Sequence, residues 1–191
     1  TICGHVFKKV VSHYRQNGSH VCACFDFDID FNKAFDNVDY WLLFSKMLDS
    51  IKTPFGINTI RLLAYWYSHQ SMSVLWQNVS SAHFKVYNGV RQGGILSPYL
   101  FRYYIRDLIH SVTSVNVGCY LVDLCVNLLA YADDLVLLAP SWRALQLLLN
   151  TIEHAAAQLN MTFNTNKTVC MIFNLVNRSS WVASKFPPFV L

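Results

Sequence analysis

Near the middle of the chain, two adjacent carboxylates, Asp133 and Asp134, stand between two short apolar runs. Apolar runs of this length broken by a polar pair predict a β-hairpin with both aspartates at its tight turn. Two like charges at one turn repel each other, and a fold that keeps them there usually holds a cation. Oxygen-only ligands suit Mg²⁺ or Mn²⁺ better than zinc. The alternative is that both residues are turn formers in solvent.

A third carboxylate, Asp30, lies in a segment where apolar and acidic residues alternate. The period of two over residues 21–31 predicts a β-strand with one apolar and one acidic face. If this strand lies beside the hairpin, a strand spacing of about 4.8 Å lets Asp30 face Asp133. Two cations held there would fit a phosphoryl transfer, in which one activates the attacking oxygen and the other stabilises the leaving oxygen. For Asp26 and Asp28 we favour an exposed face of the sheet.

A glycine-containing loop at residues 89–94 is the second place where a ligand could be held. Glycines let a backbone approach a ligand closely. Arg91 offers a contact to phosphate, and Gln92 can donate and accept hydrogen bonds. Ser97 and Pro98 then predict a helix whose N-terminus favours an anion. The alternative is an ordinary loop that Ser97 caps.

These candidate sites require elements that interleave along the chain. Helices are predicted over residues 6–14, 39–48, 59–67 and 97–110, and after an N-cap at Ser141. Strands are predicted over residues 21–31 and 168–173, in the hairpin at residues 127–139, and as two strands within residues 71–86 joined near 78–81. Interleaved helices and antiparallel hairpins indicate an α+β fold rather than a doubly wound parallel sheet.

The composition is that of a folded domain. Of 191 residues, 53% are hydrophobic and 14% charged, which argues against disorder. A net charge of +4 is compatible with a polyanionic partner without requiring one. The six cysteines form no pair of CxxC motifs, so we interpret them as reduced thiols of an intracellular protein. No apolar run reaches the length of about 18 residues that a transmembrane helix needs. A chain that begins with Thr1 is expected to be part of a longer one.

Four segments, in this order, resemble the signature of reverse transcriptases, and more closely that of LINE-type retrotransposons without long terminal repeats. The first resembles the family's first catalytic motif, the second its template and nucleotide loop, the third its metal-binding hairpin and the fourth the motif that follows. They are residues 30–38 (DFNKAFDNV), 90–101 (VRQGGILSPYLF), 131–134 (YADD) and 163–168 (FNTNKT). Four motifs in order, with family-like spacing, are far more specific than any one of them.

The resemblance implies a fold and a reaction. The implied fold is the palm of a right-hand polymerase, an antiparallel sheet with packed helices, together with part of the fingers. Residues 1–191 are then expected to be a single reverse transcriptase domain fragment without a thumb. The implied reaction is attack of a primer 3′-OH on the α-phosphate of a dNTP, which copies RNA into DNA. Positioning and charge stabilisation supply most of the catalysis in such a reaction.

For the metal site, the resemblance implies Asp30 and Asp133 as the principal ligands of two Mg²⁺ ions, with Mn²⁺ as the alternative. Asp134 is implied to support them, and the backbone carbonyl of Phe31 to add an oxygen. Lys167 is implied as the general acid for the pyrophosphate leaving group, a role that a positioned lysine can fill. The other interpretation of Lys167 is a solvated charge near the start of a strand.

For the substrate site, the resemblance implies that Gln92 and Gly93 contact the incoming nucleotide and the template. Arg91 either steadies the loop or reaches a phosphate. Phe35 falls where the family has an aromatic gate against the ribose 2′-OH, and its other interpretation is a plain core residue. Tyr131 is implied to support the hairpin near the primer end.

Two positions depart from the family pattern: Asp28 stands where an apolar residue is usual, and Arg106 where acidic residues are usual. Two hypotheses therefore stand. One is a polymerase palm from a larger retroelement polyprotein, with an RNA template, a DNA primer and dNTPs as partners and no membrane. The other is a truncated, catalytically inactive remnant that only binds nucleic acid or serves as a structural fragment. Because upstream fingers motifs, primer grip and thumb are missing from this segment, we expect the isolated chain to extend a primer poorly. The resemblance implies the nucleus or cytoplasm of a eukaryotic host.

Overall fold

The computed structural model describes residues 2–26, 34–131, 134–163 and 168–173. The chain divides into two compact units. The first unit comprises Thr1–Asn32 and Ile105–Leu191, and the second comprises Lys33–Tyr104. Both units combine helices with antiparallel strand pairs, which confirms the α+β class.

Helices and strands interleave along the described part of the chain. The helices are α1 (Ile2–Gln16), α2 (Tyr40–Ser50), α3 (Pro54–Ser68), α4 (Ser97–Tyr104), α5 (Arg106–Thr113) and α6 (Trp142–Ala157). The strands are β1 (Val21–Asp26), β2 (Ser71–Met72), β3 (Leu75–Trp76), β4 (Val79–Ser80), β5 (Phe84–Lys85), β6 (Cys119–Leu121), β7 (Leu124–Val126), β8 (Leu128–Tyr131), β9 (Asp134–Ala139) and β10 (Thr168–Phe173). In the described ranges, no helix has the length and apolar character needed to cross a bilayer.

A four-stranded antiparallel sheet, in the order β10-β1-β9-β8, is the framework of the first unit. β1 lies between β10 and β9. Every side chain from Val21 to Cys24 is at most 3% exposed. The strand is therefore buried on both faces over these four residues. The acidic face predicted for the strand belongs to residues whose side chains lie outside the description, so it stays a prediction. Such double burial is usual for an inner strand that has helices on both sides.

Two helices cover the sheet of the first unit. Val10 and Val11 of α1 pack in one cluster with Val21, Ala23 and Leu138 of the strands. α6 packs against β1 and β9. The predicted apolar face of α6 is buried at Leu145, Leu148, Ile152 and Ala155. Leu159, which was predicted on the same face, is also buried but follows the end of the helix. All six cysteines lie in the described residues, and no disulfide joins any two of them.

Polar caps fix the starts of two helices where the sequence predicted them. The Asp39 carboxylate accepts a hydrogen bond from the Leu42 backbone N–H at 2.9 Å, which begins α2. The Ser141 hydroxyl accepts one from the Ala144 N–H at 3.3 Å, which begins α6. Each cap satisfies one of the N–H groups that the first turn of a helix leaves unpaired.

Two helix predictions were wrong in their bounds. α3 begins at Pro54 rather than at residue 59, because the Thr53 hydroxyl accepts a hydrogen bond from Gly56 N–H and Pro54 suits the first position. The single helix predicted over residues 97–110 is two helices, separated at Ile105. The ψ angle of Ile105 is 0°, far from the helical value, so the backbone turns there between α4 and α5.

The strand predictions also needed correction. Residues 71–86 form two short ladders, β2 with β5 and β3 with β4, instead of two continuous strands. Their turn lies at Gln77 and Asn78, earlier than predicted, and both residues have positive φ. The hairpin of β6 and β7 was not predicted at all. In the turn of this hairpin, Val122 has a positive φ of 57°, a conformation that valine rarely adopts. The sequence therefore offered no reason to predict a turn there.

In the second unit, the backbone of the loop at residues 89–94 is held by the last residues of the first motif. The Gly89 N–H donates to the Val38 carbonyl at 2.9 Å, and the Val90 N–H donates to the Phe35 carbonyl at 2.6 Å. These bonds pair two segments that are far apart in the sequence. The start of the loop is thereby fixed before any side chain contributes.

The close approach at Gly89 depends on its missing side chain. Its φ is +92°, and a Cβ built there would lie 2.7 Å from the backbone of Asp36. Gly93 also has a positive φ, of +81°, but a Cβ there would meet nothing within 4 Å. Substitution of each glycine by alanine can therefore separate the cost of the backbone conformation, present at both positions, from the cost of steric contact, present only at Gly89.

We predict that Gly89→Ala destabilises the chain by about 3 kcal/mol, from about 1 kcal/mol for the positive φ and the remainder for the clash with Asp36. Urea unfolding followed by tryptophan fluorescence measures this free energy. Gly93→Ala is the matched control, and it should cost only the conformational part, about 1 kcal/mol. Equal losses for the two variants would show that the backbone of Asp36 does not constrain the loop.

Candidate functional site

The predicted hairpin is present in the first unit. β8 ends at Tyr131 and β9 begins at Asp134, and these two residues are partners in the antiparallel ladder. Both are exposed to solvent. Asp134 thus belongs to the strand rather than to the turn, which corrects its predicted place. Asp133, the other predicted turn residue, lies outside the described residues.

The strand that precedes the first motif lies beside this hairpin, as the sequence argument required. Asp26, the last residue of β1, is the ladder partner of Leu135 in β9. Leu135 follows Asp134 directly, so β1 ends at the edge of the sheet where the hairpin turns. Asp30 and Phe31 come after β1 in the chain and lie outside the described residues.

The fourth motif reaches the same edge of the sheet. Lys167 lies outside the described residues, but Thr168, which follows it, begins β10. Thr168 is the ladder partner of Asp26, on the side of β1 opposite to β9. The third and fourth motifs therefore border the end of the sheet at which β1, the strand that precedes the first motif, also ends.

A cation at this edge of the sheet would need oxygen ligands. Asp134 provides an exposed carboxylate there. The other two predicted carboxylates, Asp30 and Asp133, lie outside the described residues, and the described residues contain no cluster of three His, Cys, Asp or Glu side chains. Three carboxylates and a carbonyl form a donor set that fits Mg²⁺ or Mn²⁺. The meeting of β1 and β9 is consistent with such a site.

In the second unit, a buried tyrosine holds the start of the loop at residues 89–94. The Tyr40 hydroxyl donates a hydrogen bond to the Gly89 carbonyl at 2.7 Å. Burial raises the pKa of Tyr40 to about 12, and nearby Tyr67 adds to this while the Arg91 cation opposes it. The hydroxyl therefore stays protonated at neutral pH and remains a donor. The same cation opposes the rise in the pKa of Tyr67, which burial causes.

Arg91 is fixed through both its backbone and its side chain. Its carbonyl accepts hydrogen bonds from the Gly94 N–H, at 3.0 Å, and from the Ser97 hydroxyl. Its Nε donates to the side-chain oxygen of Gln70 at 3.1 Å. Ser97 thus braces the loop, and its hydroxyl does not cap the helix as predicted. These contacts are compatible with a role in steadying the loop, and the choice between that role and a phosphate contact stays a prediction.

The other two residues predicted in this loop are open to solvent. Gln92 and Gly93 are both exposed. The positive φ of Gly93, together with its empty surroundings, leaves the backbone accessible on that side. The geometry therefore permits contacts from these residues to a ligand, and their predicted roles with nucleotide and template stay predictions.

Phe35 is half-buried, between the two interpretations that the sequence allowed. Its ring stacks on the buried Phe101 of α4, with the ring centroids 4.6 Å apart and the planes at 21°. Its carbonyl accepts the hydrogen bond from Val90 described above. The aromatic contact orients the ring and leaves part of it accessible, so the gate assignment stays a prediction.

Gln70 is the residue of this site that the sequence did not reveal. It lies between the end of α3 and the start of β2, and it is only 5% exposed. No motif includes it, and a single glutamine between two elements carries no signal of its own. Only its contact with Arg91 connects it to the loop.

The departure at Arg106 is accommodated at the surface. Its side chain is 56% exposed and forms an ion pair with Asp107, with Nε and Oδ1 3.6 Å apart. An exposed pair of this kind contributes little to stability. The change of charge at this position therefore does not disturb a buried site. Asp28, the other departure, lies outside the described residues.

Two curated relatives are similar to most of this chain. It is 28% identical over 153 residues to the "Retrovirus-related Pol polyprotein from type-2 retrotransposable element R2DM" of Drosophila melanogaster, which covers 80% of the chain and 14% of that protein. It is 31% identical over 128 residues to the "Retrovirus-related Pol polyprotein from type-1 retrotransposable element R2" of Nasonia vitripennis, which covers 65% of the chain and 12% of that protein. The chain thus spans about one seventh of these relatives or less.

The family model described as "Reverse transcriptase (RNA-dependent DNA polymerase)" matches residues 6–184. This match includes all four motifs and nearly the whole chain. The two relatives are products of retrotransposable elements, in agreement with the LINE-type resemblance of the motifs. The chain therefore belongs to the reverse transcriptase (RNA-dependent DNA polymerase) family, in its LINE-type branch.

Proposed function

We propose that this chain forms the palm and part of the fingers of an RNA-directed DNA polymerase. The observation that carries the proposal is the meeting of three strands at one sheet edge, where Asp26, at the end of the strand before the first motif, pairs with Leu135 and Thr168. Leu135 directly follows the third motif, and Thr168 is the last residue of the fourth. The family match over residues 6–184 supports the same assignment. The partners in this proposal are an RNA template, a DNA primer and dNTPs. Residues 1–191 belong to a single reverse transcriptase domain of a larger retroelement polyprotein, which acts in the nucleus or cytoplasm of its host.

The carboxylates of the first unit hold two Mg²⁺ ions in this proposal, with Mn²⁺ as the alternative. Asp30 and Asp133 are the principal ligands, Asp134 supports them, and the Phe31 carbonyl adds an oxygen. When bound, such ions activate the attacking oxygen and neutralise charge on the transferred phosphoryl group. Carboxylates of like charge repel one another, and a divalent cation bound between them would offset that repulsion.

The chain's own residues position the substrates. The primer 3′-hydroxyl loses its proton to water, and its oxygen forms a bond to the α-phosphorus of the dNTP while the bond from that phosphorus to the pyrophosphate oxygen breaks. Lys167 gives a proton to the departing pyrophosphate. Gln92 and Gly93 contact the nucleotide and template, and Tyr131 supports the hairpin near the primer end. Holding the two reactants in line supplies a large part of the rate enhancement.

Phe35 selects the sugar of the nucleotide in this proposal. Its half-buried ring is oriented by stacking on Phe101. An added 2′-OH would then meet a rigid aromatic edge rather than a mobile side chain. Arg91, fixed by Gln70, offers its remaining donors to a phosphate.

The metal assignment predicts that Asp133→Asn lowers primer extension on an RNA template by about 100-fold or more, because a neutral amide cannot stabilise the cations. The measurement is Mg²⁺-dependent incorporation of dNTPs by the full protein that carries this chain. Asp123→Asn is the matched control, since Asp123 lies exposed between β6 and β7, and it should retain full activity. A folded wild-type protein that binds RNA but extends no primer would instead support the inactive-remnant hypothesis.

The gate assignment predicts that Phe35→Val raises ribonucleotide incorporation relative to dNTPs by about tenfold, which corresponds to about 1.4 kcal/mol of lost discrimination. Single-nucleotide incorporation kinetics with dNTP and rNTP measure the ratio. Phe101→Leu is the control, because it weakens the same stack while it leaves the Phe35 ring in place. An unchanged ratio in Phe35→Val, or an equal change in both variants, would remove the gate assignment.

A further inference from the structure

A cavity of about 700 Å³ lies within the second unit, beside the loop at residues 89–94. Its volume is in the range of small-molecule binding sites. Arg91 and Gln92 of the loop line it on one side, and Gln70 with the residues of β2 lines it on another. The residues of its wall thus include one basic residue, Arg91, and three residues with side-chain amides, Gln70, Asn88 and Gln92.

Gln70 is a rigid and buried part of this wall. Its N–H donates to the Tyr67 carbonyl at 3.4 Å, and its carbonyl accepts from the Val86 N–H at 3.2 Å. With the residue only 5% exposed, these backbone bonds fix the point from which the side chain starts. A fixed amide costs little further entropy when a ligand binds to it.

The contact with Arg91 decides how the Gln70 amide is oriented. Arginine Nε can only donate, so the atom of Gln70 that it meets at 3.1 Å must be the oxygen. The amide nitrogen, Nε2, therefore points its two donors elsewhere. Among the described residues, Nε2 has no hydrogen-bond partner, and neither do the two Nη atoms of Arg91.

A buried amide nitrogen without a partner is unusual in a folded protein and indicates a missing ligand or ordered water. Here the unpaired amide donors belong to the residue that holds a guanidinium by its Nε. Holding Nε leaves the two Nη groups as a fork, the geometry that matches two oxygens of one anion. The remaining N–H groups of Gln70 and Arg91 can therefore all donate hydrogen bonds to the oxygens of an anion.

We propose that Gln70 and Arg91 form a phosphate-binding pair in the wall of this cavity, in which Gln70 both positions the guanidinium and donates its own amide N–H. This inference rests on the proposed polymerase function for its ligand, either the triphosphate of a nucleotide or a backbone phosphate of RNA. Asp36 also lines the cavity and opposes an anion, but its carboxylate is exposed and screened by solvent.

The test measures binding of two probes, inorganic tripolyphosphate and a single-stranded RNA oligonucleotide, to the full protein that carries this chain. Gln70→Met keeps the length of the side chain and removes its polar atoms, and we expect it to raise the Kd of one probe by about tenfold. A higher Kd for tripolyphosphate would show that the pair binds the triphosphate of a nucleotide. A higher Kd for the oligonucleotide would show that it binds a backbone phosphate of RNA. Gln16→Met, on the exposed end of α1, is the control and should change neither Kd.

A double-mutant cycle separates this role from a merely structural one. If Gln70 acts with Arg91 on one phosphate, Gln70→Met should weaken binding far less in an Arg91→Met background than in the wild type. Equal weakening in both backgrounds, or no weakening in either, would overturn the pair. NMR of the Arg91 Nε–H group provides an independent check, because its resonance should shift on Gln70→Met even without a ligand.

These measurements do not require catalysis, so they separate the two proposals. A protein that extends no primer but shows the coupled loss of phosphate binding would contradict the polymerase proposal and support the pair. Normal primer extension, together with additive effects of Gln70→Met and Arg91→Met on the Kd, would support the polymerase proposal and contradict the phosphate-binding pair.

Discussion

Backbone N–H and C=O groups that leave water must find partners, and both units meet this requirement by pairing segments far apart in the sequence. In the first unit, β1 lies between two strands, and its last residue, Asp26, has Leu135 on one side and Thr168 on the other. In the second unit, the Val90 N–H donates to the Phe35 carbonyl. Main-chain bonds thus bring motif segments together, and the side chains that could do chemistry are built on this frame.

Around the loop at residues 89–94 of the second unit, polar side chains add hydrogen bonds to those of the backbone. The buried Tyr40 hydroxyl donates to the Gly89 carbonyl and so holds the start of the loop, and burial, which raises its pKa, keeps it a donor into the alkaline range. Ser97 holds the Arg91 carbonyl, and Gln70 holds its guanidinium. A cation fixed in this way loses little conformational entropy on binding an anion, which is the physical advantage of a preorganised site.

Much of the fold could be predicted because its signals are local. The hairpin of β8 and β9, the caps at Asp39 and Ser141, and the apolar face of α6 each depend on residues within one or two turns of the chain. The failures have equally specific causes. No glycine or proline marks the break at Ile105, and the turn of β6 and β7 places a valine, Val122, at positive φ. Neither residue type favours the conformation that it adopts, so the local sequence carries no signal of either.

The sequence by itself determined the family, through four motifs in order, and the types of residue that could bind a cation and a nucleotide. It could not determine the partners of those residues. The order β10-β1-β9-β8, the stacking of Phe35 on Phe101, and the bond from Arg91 to Gln70 were decided only by the tertiary structure. The physical reason is that motif spacing reflects chemistry along the chain, whereas a buried glutamine acquires its role only when folding removes water and brings an arginine within hydrogen-bonding distance.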